Sequence, residues 1–436
     1  MENQSTQISK QLQIKFSQYI SNVTSRISLP KKKFIKDILR GMYISKSIYL
    51  NGIARSLHES ISPKKTSERL SYNIGKPELY SEIETNYLLS LRHRIKDYEF
   101  IIYDGSDIQK KHAKEMEGLK LVRDGSRSSN KVKKGKKNEF GNGYHWDNYM
   151  AINNGKILPL VSDIYSTDLD KDFEKSENYK ILSTMERIRK HTETESILVI
   201  DRGGDRRVLV ENFIDMNQYF IIRQKRNRHL FHNDEILPIT TVSRKVKLCK
   251  EFKIERKVKN KKTTNIFDVG ATQVFMPDSY LKKKINTPLW LIVSKGRDKG
   301  YSWFLAYIDT VDKYEAMDIV MRGYAQRWKI EEFHRQVKQD YKLENIILKR
   351  YSAIHNMGII IAILMGFLCT LPQNIVEDMI IIAKLLHTKK LKDLPNYIYY
   401  RLTEAIKYFM FSWKKYVRIV NKYDPQLYFK FSFDNE

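Results

Sequence analysis

The first part of the chain has a helical pattern of apolar positions. Residues 1 to about 90 contain few glycines, and apolar side chains recur at spacings of three and four, as at Phe34 and Ile38. Two short stretches of this pattern lie on either side of Pro63, which predicts a helical hairpin over residues 47–74. The N-terminal region is therefore predicted to be helical throughout.

From residue 99 the pattern changes to short apolar runs, which are typical of buried strands. The first run covers residues 99–103 and leads into Asp104-Gly105, which predicts a strand that opens into a turn at Asp104. Two further strands are expected on either side of Asn154-Gly155, a favoured hairpin turn. A helix is predicted over residues 176–192.

The pattern continues with a strand over residues 196–200, which ends at Asp201, then a helix over 205–216 and a strand over 219–223. This order combines an antiparallel start with parallel crossovers, so it predicts an α/β fold in which a mixed sheet is covered by helices. Residues 224–310 are β-rich and include a probable hairpin near residues 289–308. One long helix is predicted over residues 311–344.

These patterns divide the chain into five segments: a helical N-terminal region, the first part of the α/β core, a β-rich insertion, a helix that completes the core, and a helical C-terminal region. Their predicted bounds are 1–95, 96–223, 224–310, 311–350 and 351–436.

Composition changes the picture through charge. The 436 residues include 78 Lys and Arg against 51 Asp and Glu, a formal net charge of +27 at pH 7. Such an excess points to a polyanionic partner, nucleic acid first, while a hydrophobic content of 42% excludes a disordered basic tail. The two cysteines, Cys249 and Cys369, form no CxxC pair, so neither a disulfide framework nor a zinc ribbon is expected.

Location follows from the same features. No stretch has the pattern of a signal peptide, and the strongest apolar run, residues 357–371, is shorter than the roughly twenty residues of a spanning helix. We therefore expect a cytoplasmic protein in which that run is a buried core helix.

Nucleic-acid contacts are expected in two regions. The N-terminal region is expected to bind DNA, although the hairpin over residues 47–74 fits an ordinary packing role equally well. A lysine-rich connector is expected to meet DNA phosphates, with a solvated loop as the alternative. Its lysines are Lys131, Lys133, Lys134, Lys136 and Lys137.

Two carboxylates suggest chemistry. Asp104 and Asp201 each follow a buried strand, and parallel neighbouring strands would bring both to one edge of the sheet. Carboxylate oxygens suit Mg²⁺ or Mn²⁺, although acidic residues after strands are also often helix caps. Asp107 and Asp205 compete for the same roles, and Asp205 has the better claim to be a cap because it opens the following helix.

The predicted helix over residues 311–344 carries a polar face. At about 100° per residue, four different polar groups align on one narrow side, opposite an apolar stripe. The polar face consists of Tyr324, Arg327, Glu331 and Lys338, and the apolar stripe of Ile330, Phe333 and Val337. This face is either an exposed, salt-bridged surface or a metal carboxylate flanked by phosphate-binding groups. Glu332 lies about 100° away and is the weaker metal candidate.

At this helix the sequence resembles a known family. Residues 324–338, YAQRWKIEEFHRQVK, fit the Y-x2-R-x3-E-x6-K signature of bacterial DDE transposases of the insertion-sequence-four family. Asp104-Gly-Ser is similar to the first catalytic aspartate of that family, and Asp201-Arg-Gly-Gly-Asp to the second. The resemblance covers about residues 99–345 and implies an RNase H-like core interrupted by a β-rich insertion.

The resemblance implies roles for individual residues. Asp104, Asp201 and Glu331 would be the catalytic, metal-binding triad, with two Mg²⁺ or Mn²⁺ ions per active site. The residues implied to contact DNA are Tyr324, Arg327 and Lys338, together with Arg202, Trp303 and Trp328. Trp303 would stack on a flipped base or else pack as a strand aromatic in the core, and Trp328 would face DNA or a helix interface. His334 is expected to pack near the site without binding metal.

The implied activity is DNA transposition by cut-and-paste at the terminal inverted repeats of the element, with a hairpin intermediate left open. Two alternatives remain: a metal-dependent nuclease of the same fold, and a domesticated DNA-binding protein that has lost catalysis. Partners would be double-stranded terminal and target DNA and, in the DNA complex, a second copy of the chain, in a nucleoid-associated bacterial protein. C-terminal aromatic residues are candidates for docking that copy, namely Tyr399, Tyr400, Phe409, Phe411 and Trp413.

Overall fold

The structure is a computed structural model of the chain. It describes residues 2–110, 112–123, 140–170, 173, 176–258, 261–277, 286–297, 300–386 and 399–410. The predicted lysine-rich connector, with Lys131, Lys133, Lys134, Lys136 and Lys137, lies outside the described residues, as do Phe411 and Trp413.

The N-terminal region consists of helices, as predicted. They are α1 (Glu2–Val23), α2 (Leu29–Ser45), α3 (Leu50–Leu57), α4 (Pro63–Ile74) and α5 (Leu79–Leu91). The predicted hairpin is present as α3 and α4: Pro63 occupies the first turn of α4, where its missing N–H costs no hydrogen bond, and the Ser62 hydroxyl accepts the Lys65 N–H.

The core is built from six strands and two helices. They are β1 (Phe100–Gln109), β2 (Lys120–Arg123), β3 (Phe140–Asn153), β4 (Lys156–Tyr165), α6 (Glu177–Thr192), β5 (Ile197–Ile200), α7 (Arg207–Asp215) and β6 (Phe220–Arg223). β3 pairs antiparallel with β1, β2 and β4, whereas β1, β5 and β6 pair in parallel. This mixed sheet flanked by helices confirms the predicted α/β, RNase H-like class.

The segment after β6 extends the same sheet. Its elements are β7 (His229–His232), β8 (Glu235–Pro238), α8 (Ile239–Lys245), β9 (Lys250–Val258), β10 (Lys261–Val274), β11 (Leu289–Gly296) and β12 (Tyr301–Tyr307). β12 pairs antiparallel with β6, so the order across the sheet is β2-β3-β1-β5-β6-β12-β11-β10-β9, with β4 beside β3. β9 to β12 therefore share one ten-stranded sheet with the core, whereas β7 and β8 pair with each other in a separate two-stranded sheet.

Helices complete the chain: α9 (Lys313–Gln326), α10 (Trp328–Asp340), α11 (Tyr351–Thr370), α12 (Gln373–Leu386) and a helix over residues 399–410. The prediction of one long helix over 311–344 is wrong in one respect, because α9 and α10 are separated at Arg327. There the Arg327 N–H bonds to Tyr324 O and the Ile330 N–H to Arg327 O, three-residue hydrogen bonds that tighten the chain locally.

Two turn predictions have opposite outcomes. The Asn154-Gly155 hairpin turn between β3 and β4 is confirmed, and both residues have positive φ, 47° and 80°. The prediction of a turn at Asp104 is wrong, because β1 continues to Gln109. Pairing with β5 stops at Tyr103, but pairing with β3 continues from Asp104 to Gln109, and that one neighbour keeps the chain extended.

α11 is the buried core helix that the apolar run predicted. Among the described residues, α11 is a helix that is long and apolar enough to cross a membrane. However, 83% of its most apolar stretch is buried inside the protein. Hydroxyls of Tyr19 and Tyr43 donate to its Ile363 and Leu364 carbonyls. Phe409, from the helix over residues 399–410, is also buried in the core, so its side chain is not available to dock a second copy.

The packing of α11 on β4 depends on a close backbone approach at Gly358. A Cβ atom at this position would lie 2.5 Å from Ser162 O and 3.0 Å from Ile164 N. Both neighbours are backbone atoms of β4, so an added methyl group has to displace the helix from the strand.

Gly358→Ala is therefore expected to lower the free energy of unfolding by about 1–3 kcal/mol, measured by urea denaturation. Gly52→Ala is the matched control, since Gly52 is also helical and its nearest atom would be 3.9 Å away. The control should gain about 0.5–1 kcal/mol. Equal stabilities of the two variants would contradict the described packing of α11.

Candidate active site

The site begins with the register of two parallel strands. Tyr103 of β1 is paired with Ile200, the last residue of β5, so Asp201 lies beside Asp104, the residue at which β1 loses β5 as a neighbour and continues on β3. Neighbouring strands are about 4.8 Å apart. The buried runs before each aspartate, Ile-Ile-Tyr and Leu-Val-Ile, anchor both positions in the core.

A tight turn holds Asp201. Its carboxylate accepts the Gly203 N–H at 2.6 Å, and the Asp201 carbonyl accepts the Gly204 N–H at 3.1 Å. A Cβ at Gly204 would lie 2.5 Å from Ile200 Cγ2, so the turn requires glycine there. The prediction that Asp205 caps the following helix is wrong: α7 has no side-chain cap, and the Asp205 carboxylate is bonded to Lys225 N and to Arg228.

Glu331 approaches the same edge from the first turn of α10. The Arg327 guanidinium contacts two carboxylates, lying 3.5 Å from Asp104 Oδ2 and hydrogen-bonding Glu331 Oε1. Arg327 lies at the junction of α9 and α10. The three-residue hydrogen bonds at this junction therefore set the direction of its side chain. One guanidinium therefore links the end of β1 to the helix.

The three carboxylates repel one another. Burial raises the pKa of Asp104 to about 7, the Arg327 charge opposes this rise, and the negative charges of Asp201 and Glu331 add to it. Arg327 thus compensates only part of the local negative charge.

His334 packs behind Asp104, as expected for a residue that is not a ligand. Burial, together with the smaller effects of the Lys338 and Arg327 charges, lowers its pKa to about 3, so the imidazole is neutral. Its Nε2 lies 3.0 Å from Asn148 Nδ2, which makes Nε2 the acceptor and puts the proton on Nδ1, 4.0 Å from Asp104 Oδ2. The ring also packs on Trp146.

Tyr324 lies farther along the edge, where it contacts Arg223, a residue that the sequence analysis did not single out. Its hydroxyl accepts a hydrogen bond from Arg223 Nη1 at 3.3 Å, and Arg223 Nη2 donates to Ser302 Oγ. Arg223 is the last residue of β6, next to Asp201 across the sheet, because Ile200 is paired with Ile222. Its position after a third apolar strand was the available signal.

Lys338 lies near the far end of β1. Its Nζ donates to the Asp107 carbonyl at 2.8 Å and lies 3.2 Å from Glu344. The Asp107 carboxylate faces the opposite side of the sheet from Asp104, where it pairs with His145 at 3.0 Å. Asp107 therefore does not join Asp104 and Asp201.

The remaining predicted residues are less closely tied to the carboxylates. Arg202 is exposed in the turn after Asp201. Trp303 is half-buried against the core, and its buried indole N–H has no hydrogen-bond partner among the described residues. Trp328 is half-buried with the Lys329 ammonium over its ring, and Glu332 points away to Arg335.

A second acidic cluster lies elsewhere in the core. Asp163, Asp170 and His355 have ligand atoms close enough together to hold a metal ion. However, the buried Lys180 ammonium lies 2.7 Å from Asp163 and 2.9 Å from Asp170. Burial lowers the pKa of Lys180, but these carboxylates outweigh it and hold the pKa above its usual value. The lysine therefore supplies the cation at this cluster.

The ligand chemistry of the other three carboxylates also suits a divalent metal, although among the described residues it is the Asp163 cluster whose ligand atoms all lie within 4.8 Å of one another. Asp104, Asp201 and Glu331 offer oxygen ligands only, which suits Mg²⁺ or Mn²⁺. Burial is the main cause of the raised pKa of Asp104, and the negative charges of Asp201 and Glu331 add to it. The chemistry of these donors would therefore suit a magnesium or manganese ion.

Comparison with known proteins gives one match. A family model described as a transposase DDE domain matches residues 95–367, more than half of the chain. This range contains β1, β5 and α10, and thus all three carboxylates. No curated protein matches the chain.

The raised pKa of Asp104 predicts a pH-dependent stability in the presence of EDTA. Because the folded-state value of about 7 exceeds the unfolded value of about 3.9, this residue's contribution is greatest below pH 4 and is lost as the pH rises through 7. Asp104→Asn should therefore be more stable than the wild type at pH 8, by about 1–3 kcal/mol, and nearly equal at pH 4. Urea denaturation at several pH values measures this difference.

The control is Asp215→Asn, a change at an exposed position at the end of α7. It should leave stability within about 0.5 kcal/mol of the wild type at every pH. A constant difference between Asp104→Asn and the wild type across this pH range would contradict the electrostatic description of the site.

Proposed function

This chain belongs to the transposase DDE domain family, and we propose that it cleaves and joins the ends of an insertion sequence by metal-dependent phosphoryl transfer. Within that family, the signature from Tyr324 to Lys338 favours the insertion-sequence-four group. The reaction would be cut-and-paste transposition, in which the exposed 3′ hydroxyl attacks either the opposite strand, forming a hairpin, or the target DNA.

One observation carries the proposal: Asp104 and Asp201 directly follow two residues that are in register on parallel strands, and Arg327 contacts both Asp104 and Glu331. A protein that only binds DNA has no need for three acidic groups at the same edge of the sheet, because each of them repels phosphate. This argues against a domesticated binding protein that has lost catalysis.

We infer that Asp104, Asp201 and Glu331 are the catalytic residues and would hold Mg²⁺ or Mn²⁺, two ions per site. When bound, the ions supply an activated water and stabilise the leaving oxygen. To act as a ligand, the carboxyl group of Asp104 must be deprotonated, and its pKa of about 7 allows this near neutral pH. No covalent protein intermediate is required.

The DNA phosphate near the cleavage point would be held by Tyr324, Arg327 and Lys338. Arg327 offers a planar fork of donors that matches two phosphate oxygens. Tyr324 offers the proton of its hydroxyl, since that oxygen already accepts from Arg223. Lys338 stands near the end of β1 and adds a point charge.

Further DNA contacts are proposed outside this group. Arg202 is exposed beside Asp201 and is suited to a phosphate contact, and Trp328 is a second candidate. Trp303 would stack on a flipped base, which offsets an unstacking cost of a few kcal/mol. The lysines over residues 131–137 would bind phosphates of the terminal or target DNA, as would the N-terminal segment 1–95.

The assembly would be a homodimer on paired DNA ends, working in the cytoplasm on nucleoid DNA. We retain the predicted segments 1–95, 96–223, 224–310, 311–350 and 351–436 as functional units. The second candidate function is a nuclease of the same fold, which the same carboxylates would support. The appearance of joined DNA products would distinguish a transposase from a nuclease, because only a transposase transfers the cleaved strand to another DNA strand.

The assignment of the triad is tested with variants of two adjacent residues of α10, Glu331 and Glu332. Glu331→Gln should reduce cleavage of a labelled duplex carrying the terminal inverted repeat by on the order of 10³-fold or more, and Asp201→Asn should do the same. Gel shifts should show DNA binding largely intact. The reaction with Mg²⁺ is resolved into nicked, hairpin and joined products.

Glu332→Gln is the control, because the Glu332 side chain pairs with Arg335, away from the carboxylates. It should cleave at nearly the wild-type rate. Full cleavage by Glu331→Gln or Asp201→Asn would refute the triad.

The lysine-rich segment is tested by salt dependence. Lys133→Gln with Lys134→Gln should reduce the slope of log K against log salt by about 0.9 for each phosphate that these lysines neutralise in the wild type. Lys190→Gln with Lys349→Gln is the control with the same change in charge. If the two double variants have the same slope, the segment is a solvated loop.

A further inference from the structure

The carboxylate of Asp205 is buried at the end of the turn that carries Asp201, and no metal or DNA role accounts for it. Only 2% of its side-chain surface is exposed. Burying a carboxylate costs several kcal/mol unless its oxygens are well paired. Its partners therefore show what the residue does.

Its partners among the described residues come from one segment, the residues directly after β6. Asp205 Oδ1 accepts from Arg228 Nε at 2.7 Å and also from Arg228 Nη2, while Oδ2 accepts from the Lys225 backbone N–H at 2.7 Å. The Arg228 side chain is itself only 14% exposed. The carboxylate thus joins the Asp201 turn to the start of the β-rich segment.

The two joined loops stand at the catalytic edge. β5 and β6 are parallel neighbours, and Ile200 is level with Ile222, so the chain from Asp201 and the chain from Arg223 leave the sheet together. The Gln224 N–H donates to the Trp303 carbonyl of β12. The joined unit therefore reaches from Asp201 to the strand that carries Trp303.

Apart from this pair, the turn is held by hydrogen bonds among its own residues, from the Gly203 and Gly204 N–H groups to Asp201 and from the Arg206 N–H to the Gly204 carbonyl. Gly203 and Gly204 contribute no side chains, and the Arg202 side chain is exposed. After the turn, α7 begins without a side-chain cap. Asp205 is the first residue after the glycines whose side chain is anchored in the interior.

We propose that Asp205 is a positioning residue: paired with Arg228, it fixes the turn that aims the Asp201 carboxylate. Without the pair, the Gly-Gly turn loses its anchor and Asp201 samples other directions. Groups that orient metal ligands in this way typically contribute 10–100-fold to metal affinity or activity. This inference rests on the proposed function, because it takes Asp201 to be a metal ligand.

The first test needs no DNA and no metal. Arg228→Ala changes a residue outside the turn, so any effect on the turn must pass through Asp205. Hydrogen exchange at the Gly203 and Gly204 amides, both bonded to Asp201, should become about tenfold faster or more. Unchanged exchange at both amides would overturn the proposal.

The second test measures metal binding directly. Mn²⁺ titration of the full chain, followed by electron paramagnetic resonance, should show affinity reduced about tenfold or more in Arg228→Ala and in Asp205→Asn. The double variant should bind Mn²⁺ at most about twofold more weakly than the single variant with the lower affinity, because both changes remove the same interaction.

The matched control is a second buried carboxylate–arginine pair, far from the edge. Arg187 of α6 binds Glu84 of α5 at 3.0 Å. Arg187→Ala should lower the melting temperature but leave Mn²⁺ affinity and glycine exchange unchanged. If it weakens Mn²⁺ binding as much as Arg228→Ala does, the effect is a general loss of stability and the proposal fails.

Should Arg228→Ala not fold, Arg228→Lys carries the test. Lysine keeps the charge but lacks the fork that holds Oδ1, so a few-fold weaker Mn²⁺ binding is expected, and wild-type affinity would overturn the proposal. Cleavage by the wild type is scored separately. A wild type that does not cleave refutes the proposed function, while exchange at the two glycines still decides the role of Asp205.

Discussion

The register of two parallel strands, β1 and β5, is the constraint on which the rest of the site depends. Tyr103 and Ile200 are paired, so Asp104 and Asp201 stand next to each other without any side-chain contact to hold them together. The apolar runs before them pack in the core, and a one-residue slip would turn those side chains to the wrong face. The chemistry of the edge is thus set by burial in the middle of the sheet.

This arrangement has an electrostatic cost. Burial, together with the charges of Asp201 and Glu331, raises the pKa of Asp104 to about 7 even though Arg327 is beside it. A protein gains nothing in stability from such a cluster, which is the usual relation between an active site and its fold. The contrast is the core cluster of Asp163 and Asp170, where Lys180 balances the charge within the chain itself.

Much of the fold was predictable because burial leaves a periodic pattern. The α/β class, the Asn154-Gly155 hairpin and the buried helix α11 all follow from apolar periodicity and turn chemistry. The turn expected at Asp104 was wrong because a strand with two neighbours can lose one and continue on the other. Pairing partners of this kind are long-range, and local sequence does not encode them.

The site, like the fold, could be predicted from the local sequence only in part. The position of Asp201 could be predicted from the end of a strand and that of Asp104 from the apolar run before it, whereas the partner of Asp205 could not, since Arg228 is 23 residues away and lies in another loop. The break at Arg327 also escaped the helical pattern, because a single tightened turn leaves the apolar stripe of α10 intact.

Anomalous diffraction from crystals soaked in Mn²⁺ tests the central claim most directly. Manganese should be bound by Asp104, Asp201 and Glu331 together, with none at Asp163, Asp170 and His355. Manganese found only at that second cluster, or bound by Asp104 and Asp201 while Glu331 stays apart, would contradict a shared metal site at the strand ends.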